Sequence, residues 1–390
     1  VVLKDINLGV AVDTPGGLMV PVLALWNIGD GNIWEGLVRV FEHAPEKFNV
    51  IGAHDSVLPF EVLFTGLIVN QVYFWCLHQS IIQRALGAKS LKEAQKGLLY
   101  TGVLKILVPI IIILPGIIGY YYFGDSLYGE QDRIYPRLVQ KVLPVAFTGF
   151  FAAVLMGAVL STFNSALNSA ATLFSLGVYK KFIDRDAGEK RLVWIGKSAS
   201  AILAIVSIAV APLIANAPKG LYQLLQELNG LFFIPMASVI LAGFLFPRVS
   251  ATGAKAALFT GFAFYLVTFF LKGMSAWWFL PLAALLFLAY RRGWLPDREA
   301  VAYGFFGYAF FVITWFVARA ELHFVHIWGI EFLLNIAVMH IVSTFRPVTT
   351  VFQIVDGGFL EMKPWKYTKQ MSIALVAITV LIYILLGNVG

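Results

Sequence analysis

The sequence predicts an all-α, polytopic membrane protein, and three observations carry that prediction. Hydrophobic residues fill 59% of the 390 positions, charged residues only 13%, and the mean hydropathy is +0.80. The apolar residues gather into long continuous runs, and the basic residues divide unevenly among the segments between those runs. A soluble domain carries about 25% charged residues, and half that supply cannot cover a water-facing surface. Lipid is therefore the second solvent of this chain. One cysteine, Cys76, excludes an internal disulfide.

A helix needs roughly 20 apolar residues to cross the hydrocarbon core. Eleven stretches meet or approach this length, near 6–25, 57–80, 99–121, 143–176, 194–215, 221–246, 252–272, 276–290, 300–318, 324–344 and 371–388. The run at 276–290 is short and that at 143–176 long. Apolar runs without alternation are helices rather than the strands of a barrel. With residues 1–5 in the cytoplasm and the chain alternating, 20 of the 29 Lys and Arg lie inside and 8 outside, and Lys105 falls within a span. This bias is the one expected of cytoplasmic loops, and it sets the orientation of the spans; a multi-pass protein of the plasma (cell inner) membrane is expected. It also accounts for the net charge of +7. The basic residues form no dense patch, so no nucleic-acid partner is expected.

Breaks interrupt several spans. Asp13-Thr14-Pro15-Gly16-Gly17 breaks the first, Pro109 and Pro115 sit in the third, and Asn229-Gly230 and Pro235 sit in the sixth. Broken helices in lipid line cavities and mark sites, although a single proline also makes a simple kink. In the polar loop 27–56, the stretch Ile33–Phe41 has helical apolar spacing and is expected to lie on the membrane surface.

Polar residues inside spans are costly and therefore informative. On the fourth span Ala158, Ser161, Thr162, Ser165, Asn168, Ser169 and Thr172 recur at three- and four-residue spacing and share one face. Such a stripe offers oxygen ligands to a hard monovalent cation. It equally suits close helix packing, with hydroxyls bonded back to their own helix. Lys105 must face the interior or snorkel to the cytoplasmic headgroups. Gln223, Gln226 and Glu227 open the sixth span, and amides suit a neutral, hydroxyl-rich ligand as well as an ordinary helix start. In the second span Asn70 and Gln71 adjoin Tyr73, Phe74 and Trp75. An aromatic membrane belt explains the rings but not the amides beside them. His340 reads as a structural polar contact.

Taken together, several motifs resemble the sodium:solute symporter family, of the sodium/glucose (galactose) cotransporter type. They are Phe74-Trp75-Cys76-Leu77-His78-Gln79-Ser80-Ile81-Ile82-Gln83-Arg84 with the following Ala88–Gly97, Asn168–Phe174 with Tyr179-Lys180, and Tyr222–Glu227 with Gly230. The resemblance covers roughly residues 1–270. It implies an inverted-repeat helix bundle of the leucine-transporter type, here the second repeat followed by additional C-terminal helices in 271–390. By the same resemblance Ala158, Ser161 and Thr162 match sodium ligands, Thr162 standing where Ser is usual, and Asp5 matches an acidic residue near that ion. Gln71, Lys105 and Gln226 match sugar-contacting positions. Phe74 or Tyr73 matches the aromatic that shields the sugar; Phe74 holds the gate position where Tyr is common. His78 replaces an acidic or amide residue, and 276–318 reads as an extra helix pair. Residue 1 aligns to the start of the fifth core helix and the chain opens without Met. The first repeat is therefore expected to lie before residue 1, and the 390 residues are expected not to transport alone.

The function implied is sodium-coupled symport of a sugar through the lipid bilayer by alternating access, with sodium as the coupling ion. Two alternatives stay open: symport of another small solute, such as sialic acid, an inositol, an amino acid or a carboxylate, and a membrane sensor that binds without transporting. Nucleophile elbows, phosphate loops and metal-ligand spacings do not occur, so an enzyme is not expected.

Overall fold

Local signals start the helices. Asn32 caps a helix at Ile33–His43, its side chain accepting from the Trp34 and Glu35 N–H groups at 3.0 and 3.4 Å. Ser90 caps Leu91–Ile112 by accepting from the Glu93 N–H at 3.3 Å, and Glu93 pairs with Lys96 at 2.9 Å. Ser250 caps Ala251–Tyr265 through the Gly253 N–H at 3.1 Å.

The structure, a computed structural model, describes residues 18–52, 54, 56, 58–127, 133–214, 221–270, 284, 287, 288, 290–293, 297–348 and 362–387. Among them the helices are α1 (Leu18–Ile28), α2 (Ile33–His43), α3 (Gly66–Val72), α4 (Gln79–Leu86), α5 (Leu91–Ile112), α6 (Leu114–Phe123), α7 (Ile134–Val142) and α8 (Val145–Thr172). There follow α9 (Glu189–Ile214), α10 (Leu221–Leu245), α11 (Ala251–Tyr265), α12 (Asp297–Arg319), α13 (Phe324–Phe345) and α14 (Thr368–Leu386). The described residues contain no strand.

Seven helices are long and apolar enough to cross a membrane, from Leu91–Phe123 to Thr368–Leu386. They correspond to the predicted spans beginning near 99, 143, 194, 221, 252, 324 and 371. The long fourth span is long in fact, running Val145–Ile183. Leu18–Ile28, Gly66–Leu77 and Gly307–Arg319 are shorter apolar helices at three further predicted spans. The break expected at 13–17 and most of the run 276–290 lie outside the described residues. The third span is interrupted as expected: α5 ends at Ile112 and α6 begins at Leu114, with Pro115 in its first turn. The expected break at Asn229-Gly230 and Pro235 does not occur, and α10 runs through both. Pro235 forfeits one backbone bond, but Ile234, Ala237 and Ser238 around it are fully buried, and tertiary packing holds the helix. Ile33–Phe41 is helical as predicted.

The described residues divide into two units, interleaved along the chain. One takes those of 1–52, 79–221 and 356–390. Its core is where α1, α2, α6 and α7 meet, around Val20, Ala24, Val40, Ile118 and Leu138. In the same unit α8 packs on α9, the Ser200 hydroxyl reaching the Leu167 carbonyl at 3.5 Å. Leu155, Val159, Ile202, Val206, Ile373 and Val376 are exposed. Continuous apolar patches of this kind are a liability in water and none in lipid.

The other unit takes 53–78 and 222–355. Here α13 packs along α11, burying Trp328, Met339, Phe264 and Tyr265 with Ile234 of α10. α3 crosses α13 at Gly66, where a methyl group would overlap the Val325 carbonyl and Trp328 Cβ. Gly230 likewise admits the rings of Trp328 and Tyr265 against α10.

Candidate functional site

The second predicted span is not a single α-helix. After α3 the chain passes into a π-helical turn, Tyr73–Leu77, which ends where His78 turns extended. The His78 N–H closes the turn on the Tyr73 carbonyl at 2.9 Å. The wider turn swings consecutive aromatics off the α-helical register, and such turns are frequent at functional sites.

Those aromatics gather on α10. The Tyr73 ring centroid lies 4.7 Å from that of Phe233, and His78 lies 5.5 Å from Phe233. Phe74 stacks on His78 at 5.7 Å and 18°. Tyr73 is buried, and its hydroxyl donates to Met236 Sδ at 3.4 Å. Gln71 is exposed, and its Oε1 accepts from Trp75 Nε1 at 2.9 Å. The Trp75 indole therefore fixes the amide's orientation and leaves its NH2 group pointing the other way. On α10, Gln226 Oε1 accepts from Asn229 Nδ2 at 2.8 Å, and Gln223 Nε2 donates to Glu227 Oε1 at 3.1 Å. The Gln226 carbonyl is thus held by a neighbour rather than left to rotate.

Gln71, Tyr73, Phe74 and Gln226 therefore belong to one unit, in which Tyr73 and Phe74 pack on the helix that carries Gln226. Phe233 completes this aromatic wall and was not singled out in the sequence. Its signal is its position seven residues after Gln226, on the same helix face. His78 also enters the wall, as a ring where the resemblance leads one to expect a carboxylate or amide. His340, read as a structural contact, packs edge-on against Phe246 at 4.7 Å.

The hydroxyl stripe and Lys105 belong to the other unit. The C-terminal half of the stripe is committed to packing. Ser169 Oγ donates to the Ser165 carbonyl at 2.9 Å, Thr172 Oγ1 to the Asn168 carbonyl at 2.8 Å, and Arg84 of α4 donates to Ser165 Oγ. The N-terminal half is different: Ala158 is half-buried, and Ser161 and Thr162 are exposed, with no bond back to their own helix among the described residues. The two readings of the stripe therefore apply to different heights of one helix. Lys105 is exposed on α5. Asp5 lies outside the described residues. Among the described residues no three His, Cys, Asp or Glu side chains cluster as metal ligands.

Seven apolar helices of membrane-crossing length, with a further helix opened by a π turn, define a polytopic helical membrane protein. Residues 18–261 match the sodium:solute symporter family, and the chain belongs to that family. The family consists of transporters, not enzymes. The chain is 37% identical over 375 residues to an uncharacterized symporter, YidK, of Escherichia coli strain K12, covering 96% of this chain and 57% of that protein. It is 33% identical over 280 residues to a sodium/glucose cotransporter of Vibrio parahaemolyticus, covering 66% and 51%. It is 33% identical over 216 residues to a sodium/myo-inositol cotransporter of Canis lupus familiaris, covering 51% and 30%. The chain thus spans about half the length, or less, of the curated relatives it matches.

Proposed function

We propose that this chain is the larger part of a sodium-coupled sugar symporter of the cell's inner membrane. The observation that carries the reading is the wall of Tyr73, Phe74 and Phe233, flanked by Gln71 and built on the helix that bears Gln226. A sugar has an apolar ring face and a rim of hydroxyls. An aromatic surface beside oriented amides meets both needs, the rings by stacking and the amides by hydrogen bonding. In this reading Phe74 or Tyr73 closes the sugar from the cytoplasm, and Lys105 adds a further hydroxyl contact. Ala158, Ser161 and Thr162 contribute to the sodium site, with Asp5 near it. Residues 1–270 form the core of a leucine-transporter-type bundle, and 271–390 supply the additional helices.

The coupling is energetically sufficient. One sodium ion entering down a tenfold gradient and about −100 mV releases roughly 3.7 kcal/mol, enough for about 500-fold accumulation of a neutral solute. A second reading, symport of a cyclic polyol, has the support of the similarity to the sodium/myo-inositol cotransporter.

The test is uptake of labelled galactose, glucose and myo-inositol in proteoliposomes. It uses the protein with its natural flanking sequence and compares sodium with potassium outside for wild type, Thr162→Ala and Gln226→Ala. Sodium-dependent sugar uptake, strongly reduced at limiting sodium in Thr162→Ala and weakened in Gln226→Ala, supports the reading. Uptake of myo-inositol alone selects the second reading. Sodium-independent uptake, or indifference to both substitutions, overturns it.

A further inference from the structure

The unit formed by α3 and α10–α13 holds a carboxyl group that the proposed symport does not use. Glu331 sits in the second turn of α13 and is fully buried. Among the described residues neither of its oxygens has a hydrogen-bond partner, and no basic side chain is paired with it. One turn further on, Asn335 is also fully buried, and its Oδ1 accepts nothing, although its amide donates to Ser238 Oγ at 3.4 Å. Among the described residues these acceptor oxygens have no donor.

A carboxylate in such a place cannot keep its charge unaided. Taking an uncompensated ion out of water is costly even after relaxation. The titratable neighbours bring no positive charge. α11 contributes Tyr265, fully buried and within electrostatic reach of Glu331, and α10 contributes Glu227, within reach of the same tyrosine. On ionising, either could only add negative charge, and neither supplies a positive one. The Trp328 indole packs against Tyr265 where Gly230 lets the rings approach α10. α3 contributes no titratable group. Lys255 of α11 is exposed near the opposite end of the α11–α13 contact, where Gly253 meets Met339 and Ser343. On α13 itself His326 is bonded to Thr65 at 3.1 Å, and His340 packs on Phe246. A proton neutralises the carboxyl without a coordination shell, whereas a metal cation would require several converging oxygens.

We propose that Glu331 is a proton-binding site, a carboxyl held in its acid form between α11 and α13 beside the helix that carries Gln226. The carboxyl and the hydroxyl stripe of α8 belong to different units, and the inference does not depend on the solute transported.

The experiment is infrared spectroscopy of the full natural chain purified in detergent, titrated from neutral to alkaline pH, for wild type and Glu331→Gln. Glutamine keeps the shape of the protonated acid but cannot ionise. Expected is the C=O band of a protonated carboxylic acid at neutral pH in wild type, lost in Glu331→Gln. Alkaline pH should remove that band and lower the melting temperature of wild type, with a smaller fall in Glu331→Gln. Absence of the band at neutral pH overturns the proposal. So does a sodium titration that raises the melting temperature of wild type but not of Glu331→Gln, which makes the site a sodium site. Should Glu331→Gln not fold, wild type is compared with Glu227→Gln: a neutral-pH acid band that persists without Glu227 supports the proposal, and one that disappears with it overturns it.

Discussion

Gln95, in the second turn of α5, accepts two hydrogen bonds from the start of α14, from the Thr368 hydroxyl at 2.9 Å and the Trp365 N–H at 2.8 Å. One side-chain oxygen thus joins segments 270 residues apart and fixes where the last helix of the chain begins. Farther along the same pair of helices, Gly102 makes room for Leu375.

Gln95→Ala should loosen α14 by removing both bonds at a partly buried site, at a cost of about 1–2 kcal/mol. Thermal unfolding in detergent measures it. Gln95→Glu keeps the acceptor and should retain most of the stability.

Gly66→Ala should be far more damaging than an exposed helix substitution. The added methyl meets the Val325 carbonyl and the Gly329 N atom, which are backbone and cannot rotate away. Overpacking of this kind costs about 1–3 kcal/mol. A lower melting temperature, with spectra showing unchanged helix content, is the expected outcome.

The two halves of the α8 stripe should separate in their sodium dependence. Ser169 spends its hydroxyl on the Ser165 carbonyl, so Ser169→Ala should leave the sodium half-saturation of uptake unchanged. Thr162→Ala should raise it roughly tenfold, as expected for about 1.4 kcal/mol of lost ligation. Equal effects at both positions would return the whole stripe to packing.

Asn229 should act on the solute through Gln226. Removing the 2.8 Å bond with Asn229→Ala loosens the hold on the Gln226 amide. KM for sugar should rise roughly tenfold, the worth of about one hydrogen bond, while kcat changes little. Gln226→Ala should add to the loss by less than its own single effect, because the two residues act as one.

Much of the architecture was legible in the residues themselves. Continuous apolar runs require helices in lipid, so most spans could be located by length alone. The Pro109/Pro115 interruption was also visible, because proline acts locally. At the candidate site, Gln71, Tyr73, Phe74 and Gln226 stood out as polar or aromatic groups in unexpected company. Three things were not legible. Gly230 and Pro235 read as a break, yet α10 continues, because tertiary packing around the buried Ile234, Ala237 and Ser238 overrides a local helix-breaking tendency. Phe233 looked like one more apolar residue until the π turn brought Tyr73 onto it. Glu331 sat unnoticed within an apolar run.

By itself, then, the sequence determined that this protein is a multi-span helical bundle and which residues carry the family's motifs, because hydrophobicity, capping and spacing act over a few residues. Only the tertiary structure decided which hydroxyls of α8 are spent on their own helix, which amide is locked by Trp75, and that Glu331 lies buried without a donor among the described residues. Those properties depend on what other helices bring to the same point, and no local pattern in the chain encodes that meeting.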